Sequence, residues 1–183
     1  MERFGFVSIS RERNFHLLRN EIKNEWFEIA LYATLLVLVP LLFHQQLVTG
    51  TLVNAILIKA ALDYRPIRIL LLSLVPSAAA FAGGFLFGPL TPMLLYMMPF
   101  IWVGNISLSL IVRKMFIKRR INYALSSIAA AAVKTLILFA SAFTLFSLAL
   151  VPVAFLTAFG ILQLFTALGG AAVVGAFRLR RKR

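Results

Sequence analysis

Two long stretches of this chain are almost free of charge, and they constrain its fold more than any other feature. Residues 69 to 112 hold no Asp, Glu, Lys or Arg, and residues 121 to 177 hold only Lys134. One hydrocarbon core needs about 20 apolar residues as a helix, so each stretch is long enough for two spans. The first divides at Gly88-Pro89-Leu90-Thr91-Pro92, where two prolines remove backbone donors and end a helix. The second divides near Pro152. An earlier apolar stretch, Trp26 to Leu62, carries the polar break His44-Gln45-Gln46 followed by Thr49-Gly50-Thr51. It is expected to form two short helices, 26 to 44 and 48 to 62, with Thr51 a good N-cap candidate. Over the whole chain 14% of residues are charged, against about a quarter in soluble domains. A water-soluble enzyme is excluded.

The position of the basic residues decides between five spans and six. The 19 Lys and Arg fall as five before Trp26, three at 59 to 68, five at 113 to 120, one at 134 and five at 178 to 183. With six spans every cluster except Lys134 lies on one side, and the opposite side, near 44 to 51, 88 to 92 and 146 to 153, has none. That is the asymmetry of the positive-inside rule. The expected architecture is therefore an all-α polytopic plasma-membrane protein with six transmembrane helices and both termini cytoplasmic. Residues 1 to 25 make a basic leader and 178 to 183 a basic tail, flanking a membrane domain over 26 to 177. The leader is too polar and too long for a signal peptide. Its Phe15, Leu18, Ile22 and Trp26 recur at helical spacing, as in an amphipathic surface helix. Basic residues confined to span ends give no nucleic-acid surface.

Lys134 stands about a dozen residues from either end of its segment, near the bilayer centre at about 1.5 Å per residue. A lysine there costs about 2.5 to 3.5 kcal/mol. No Asp or Glu lies in any expected span, so its partner is an amide or carbonyl oxygen or a ligand anion, or the amine is neutral. Ser127, Ala130, Ala131 and Ser141 share its helical face. Asn105 and Gln163 each lie about a dozen residues beyond a proline break, in helices that start from the outer side. A pocket opening outward and floored by Asn105, Lys134 and Gln163 follows, with Trp102, Tyr96 and Phe159 as walls. Thr166 aligns with Gln163, while Asn54 and the Gln45 to Thr51 segment are placed on the outer side, to line the pocket mouth or cap the second short helix. Gly84-x-x-x-Gly88, Ala78-x-x-x-Ala82 and Ala167-x-x-x-Ala171-x-x-x-Gly175 suit close helix packing.

The excluded chemistry is equally informative. There is no cysteine, no HExxH, no P-loop, no Gly-x-Ser-x-Gly and no carboxylate pair within a span, so proteolysis, ATP hydrolysis and metal-assisted phosphotransfer lack their ligands. His16 and His44 are unclustered. No catalysis and no cofactor are expected.

The runs Gln46-x-x-Thr49-Gly50-x-Leu52-Val53-Asn54-Ala55, Pro99-Phe100-Ile101-x-x-Gly104-Asn105, Ala132-x-Lys134 and Gln163-Leu164-x-Thr166-Ala167-Leu168-Gly169-Gly170 resemble the substrate-binding S components of energy-coupling-factor (ECF) transporters. The resemblance spans roughly residues 40 to 177. It implies a six-helix protein that binds a vitamin or other small micronutrient from outside. It also implies a transmembrane coupling protein with two ATPase subunits as partners, and Asn54, Asn105, Lys134 and Gln163 as ligand contacts. The first helix departs from the family's Ala-x-x-x-Ala pattern, offering Ala30 and Ala33 instead. The expected ligand is anionic, since Lys134 has no acidic partner. A second reading is a non-transporting scaffold whose basic segments recruit a cytoplasmic complex or anionic membrane lipids.

Overall fold

The structure, a computed structural model, describes residues 26–180. The leader, residues 1 to 25, and residues 181 to 183 of the tail lie outside the described residues. Among the described residues every regular element is helical: α1 Trp26–Leu42, then α2 Gln46–Asp63, α3 Pro66–Gly83, a 3-10 turn Gly88–Leu90, α4 Thr91–Val112, α5 Tyr123–Ser147, α6 Ala154–Phe159 and α7 Ile161–Arg180. A π-helical turn, Arg113–Lys118, prolongs α4. Gly88–Lys118 and Ala154–Arg180 thus join α2, α3 and α5 as five helical segments long and apolar enough to cross a membrane, and α1 is a shorter apolar helix. Leu71, Leu136 and Phe165 on three of these segments are each more than half exposed, as expected of surfaces that meet lipid and not water.

Helix ends follow local chemistry, with three departures from the sequence reading. α2 begins at Gln46 with Gln45 as its N-cap, so Thr51 is an interior residue; Thr49 instead donates to Phe43 O at 2.6 Å across the break. Gly84 and Gly88 do not pack helices together. They take φ values of 71° and 51°, a region that costs other residues about 1–2 kcal/mol, and Gly84 caps α3 by donating to Ala80 O. Ala78 and Ala82 face outward from α3. The last span is not one helix: it breaks at Gly160, where a Cβ would lie 2.5 Å from Leu156 O.

The two ends of the bundle differ in chemistry. At one end the ring of His44 lies 5.1 Å from Phe85, Gln46 Nε2 donates to Ala158 O at 2.8 Å, and Phe87 stacks on Phe159 at 5.8 Å. At the other, Tyr64 donates to Glu28 Oε2 at 2.6 Å, Arg113 Nη1 to Ala61 O at 2.8 Å and Tyr123 to Ala171 O at 2.8 Å. Burial, and then the bond to Glu28, push the Tyr64 hydroxyl well above the usual tyrosine range, so it stays a donor. Apart from Lys134, the described basic residues belong to this second end.

Between the ends, α2 and α7 approach until their backbones nearly touch. A Cβ on Gly170 would lie 2.7 Å from Ala55 N, 2.8 Å from Asn54 Cβ and 2.9 Å from Thr51 O. Only glycine allows this approach, and it brings Asn54 against α7.

Candidate functional site

Lys134 is the eleventh residue after Tyr123 in the 25-residue α5, which places it about 16 Å along a helix about 37 Å long. It is 3% exposed. Its Nζ donates to Asn54 Oδ1 at 2.6 Å and to Asn105 Oδ1 at 2.8 Å. A lysine at this depth is met by two amide oxygens, one from α2 and one from α4.

The far side of each amide explains why the oxygens face the lysine. Asn105 Nδ2 donates to Ser73 O of α3 at 3.1 Å, and Asn54 Nδ2 donates to Thr166 Oγ1 of α7 at 3.3 Å. Thr166 in turn donates to Gln163 O at 3.1 Å. With both NH2 groups committed, only acceptors remain toward Lys134, and an amine donates in either protonation state. The network therefore suits a lysine and would reject a carboxylate. It joins α2, α3, α4, α5 and α7 at one level of the bundle.

Beside the network lies a cavity of about 80 Å³, whose lining includes Asn54, Asn105, Lys134, Gln163, Phe87 and Phe159. At about 30 Å³ per water it has room for two or three waters, while sites for organic ligands run to about 300–1,000 Å³. A vitamin-sized solute enters only if the walls part. Leu86, Phe87 and Gln46 also line it, so the cavity reaches the bundle end that has no basic residue. Two hydrogen-bonding capacities remain unmet beside it: the third proton of a charged Lys134, and Gln163 Oε1, which is buried without a partner among the described residues.

Asn105, Lys134 and Gln163 thus line one cavity, together with Asn54 and Phe159. Asn54 is a correction in position. The sequence reading set it at the outer mouth, but α2 starts at Gln46 and places it about 12 Å along the helix, level with Lys134. Thr166 is buried in the network and does not line the cavity. Trp102 also stands outside the lining; its Nε1 donates to Ser77 Oγ at 2.7 Å and ties α4 to α3. Tyr96 is half exposed on the outside of α4. Gln46, Thr49 and Gly50 of the Gln45 to Thr51 segment also line the cavity; sequence reasoning missed Phe87, beside the Gly-Pro turn, and the Ser73 carbonyl, which has no signature in side-chain identity. No group of three or more His, Cys, Asp or Glu that would hold a metal occurs among the described residues.

Compared with known proteins, the chain matches no protein-family model, no curated protein and no solved structure.

Proposed function

We propose that this chain is a six-span plasma-membrane subunit that binds a small anionic, vitamin-like solute or other micronutrient from outside, in the manner of an ECF-type S component, and does no chemistry on it. The observation that carries the reading is Lys134: buried at mid-depth, held by two amides, with a proton to spare beside the unmet Gln163 Oε1. Intramembrane ionisable groups mark ligand and ion paths. A solute with a carboxylate or phosphate for Lys134 and an N–H or O–H for Gln163 would use both unmet capacities. In this reading α1, about 25 Å long, is a short sixth span met by local thinning of the bilayer; the asymmetry of the basic residues supports both termini in the cytoplasm. Release of the solute inward would use a coupling protein with two ATPase subunits, in keeping with a sequence that has no P-loop.

A non-transporting scaffold is favoured by a different observation, the small size of the cavity with Lys134 already twice bonded. Mild purification followed by mass spectrometry of the molecules released on denaturation separates the two. An organic acid or phosphate ester held at about one per chain is the expected result. Release of nothing but lipid, together with recovery of a stable cytoplasmic complex, would replace the transport reading with the scaffold.

A further inference from the structure

Away from the buried network, α1, α2 and α7 enclose a groove of about 880 Å³ at the basic end of the bundle. Its walls are apolar, with Leu52 and Ile56 on α2 and Val173 and Phe177 on α7; Phe177 is 67% exposed. Its rim carries Lys59, Arg178 and Arg180 against one carboxylate, Asp63. Lys59 pairs with Asp63, which leaves the rim with two positive charges in excess. From Leu52 to Lys59 and from Val173 to Arg180 is seven residues each, so the apolar walls run about 10 Å from the rim toward the bilayer interior. An apolar trough about two-thirds of a leaflet deep under a cationic rim suits the upper part of an acyl chain and an acidic lipid headgroup, which basic pockets between membrane helices bind.

We infer that this groove is a binding site for an anionic phospholipid, its phosphate at Arg180 and Arg178 and an acyl chain along Val173, Phe177, Leu52 and Ile56. Charge decides the occupant. The chain's own leader has five basic residues and four acidic and gains nothing from a rim of excess positive charge. A zwitterionic lipid gains little, and a lipid with net negative charge gains most. Arg178 lines the groove while its guanidinium stacks on Phe116 at 4.5 Å and lies 5.8 Å from Tyr123, which restricts its side chain, so Arg180 is the freer of the two to meet a phosphate. This site is separate from the Lys134 cavity and stands whether or not that cavity binds a solute.

The test places a photoreactive benzoylphenylalanine at position 177 of the full chain, reconstituted in vesicles of equal phosphatidylglycerol and phosphatidylcholine. After irradiation the adducts are weighed. Phosphatidylglycerol adducts should exceed phosphatidylcholine adducts about fivefold, the worth of about one basic residue near an interface. That excess should shrink in Arg180→Gln, grow in Asp63→Asn and fall as salt is raised, the salt series needing no substitution beyond that at position 177. Equal labelling of the two lipids, a cross-link to residues 1 to 25 or to a second copy of the chain, or an excess indifferent to both salt and Arg180→Gln would overturn the assignment.

Discussion

Asn105→Leu, made with and without Lys134→Met, tests whether the buried amine and the amides form one energetic unit. In the unmutated background Asn105→Leu removes one of two acceptors from Lys134, at 2.8 Å, and leaves a proton of a buried amine unmet. Hydrogen bonds to a charged group are worth about 1.5–3 kcal/mol and neutral ones about 1. Lys134→Met alone orphans Asn54 Oδ1 and Asn105 Oδ1, about 1–3 kcal/mol each, but removes a lysine that costs about 2.5–3.5 kcal/mol at the bilayer centre. The two effects oppose each other, so this single variant is only mildly less stable. Once Lys134 is Met, Asn105→Leu removes an orphaned oxygen instead of a partner. The loss of the Asn105 bond to Ser73 O occurs in both backgrounds and cancels. The cycle should therefore return the lost bond plus the relieved orphan, a coupling of about 2.5–6 kcal/mol for an ammonium and about 2–4 for a neutral amine, measured by reversible unfolding in mixed micelles. Independent sites add within about 0.3–0.5 kcal/mol; a sum that additive would refute the network.

Gly170→Ala should destabilise by about 1–3 kcal/mol by overpacking, because its new Cβ meets backbone and Cβ atoms of α2 at 2.7 to 2.9 Å; thermal denaturation in micelles reads the loss. Gly169→Ala, which meets only the Thr51 side chain at 3.2 Å, should cost less in the same assay. Ala149, at a φ of 56° in the turn after α5, should accept glycine with a gain of up to about 1 kcal/mol, since Cβ strain disappears there. Trp102→Phe deletes the 2.7 Å bond to Ser77 and should lower stability by about 1 kcal/mol while leaving ligand retention intact, as the indole does not line the cavity.

Much of the architecture was legible because lipid imposes a simple rule: remove charge over about 20 residues and end the run with proline or a polar break. The Gly88 to Pro92 turn and the break near Pro152 appear where that rule puts them. Lys134 was legible for the same reason, as the only charge in 57 residues, and its amide partnership was one of few options left by the lack of carboxylates. What resisted reading was the relative height of helices. Asn54 could be placed only after α2 was seen to start at Gln46, and its contact with Lys134 depends on Gly170, 116 residues later. Trp102 shares a helical face with Asn105 on spacing, yet Ser77 of a neighbouring helix draws it aside. Rotation and height come from packing between helices, which one-dimensional spacing does not encode.

The central claim is that Lys134 holds a solute and does not merely fill the bundle. The most direct measurement is the amount of small molecule retained per chain by wild-type protein and by Lys134→Met, purified side by side and quantified by mass spectrometry, with Lys134→Met shown to be folded. A solute-binding Lys134 gives about one anionic molecule per wild-type chain and at least a tenfold loss in Lys134→Met. Equal retention in both proteins would contradict it.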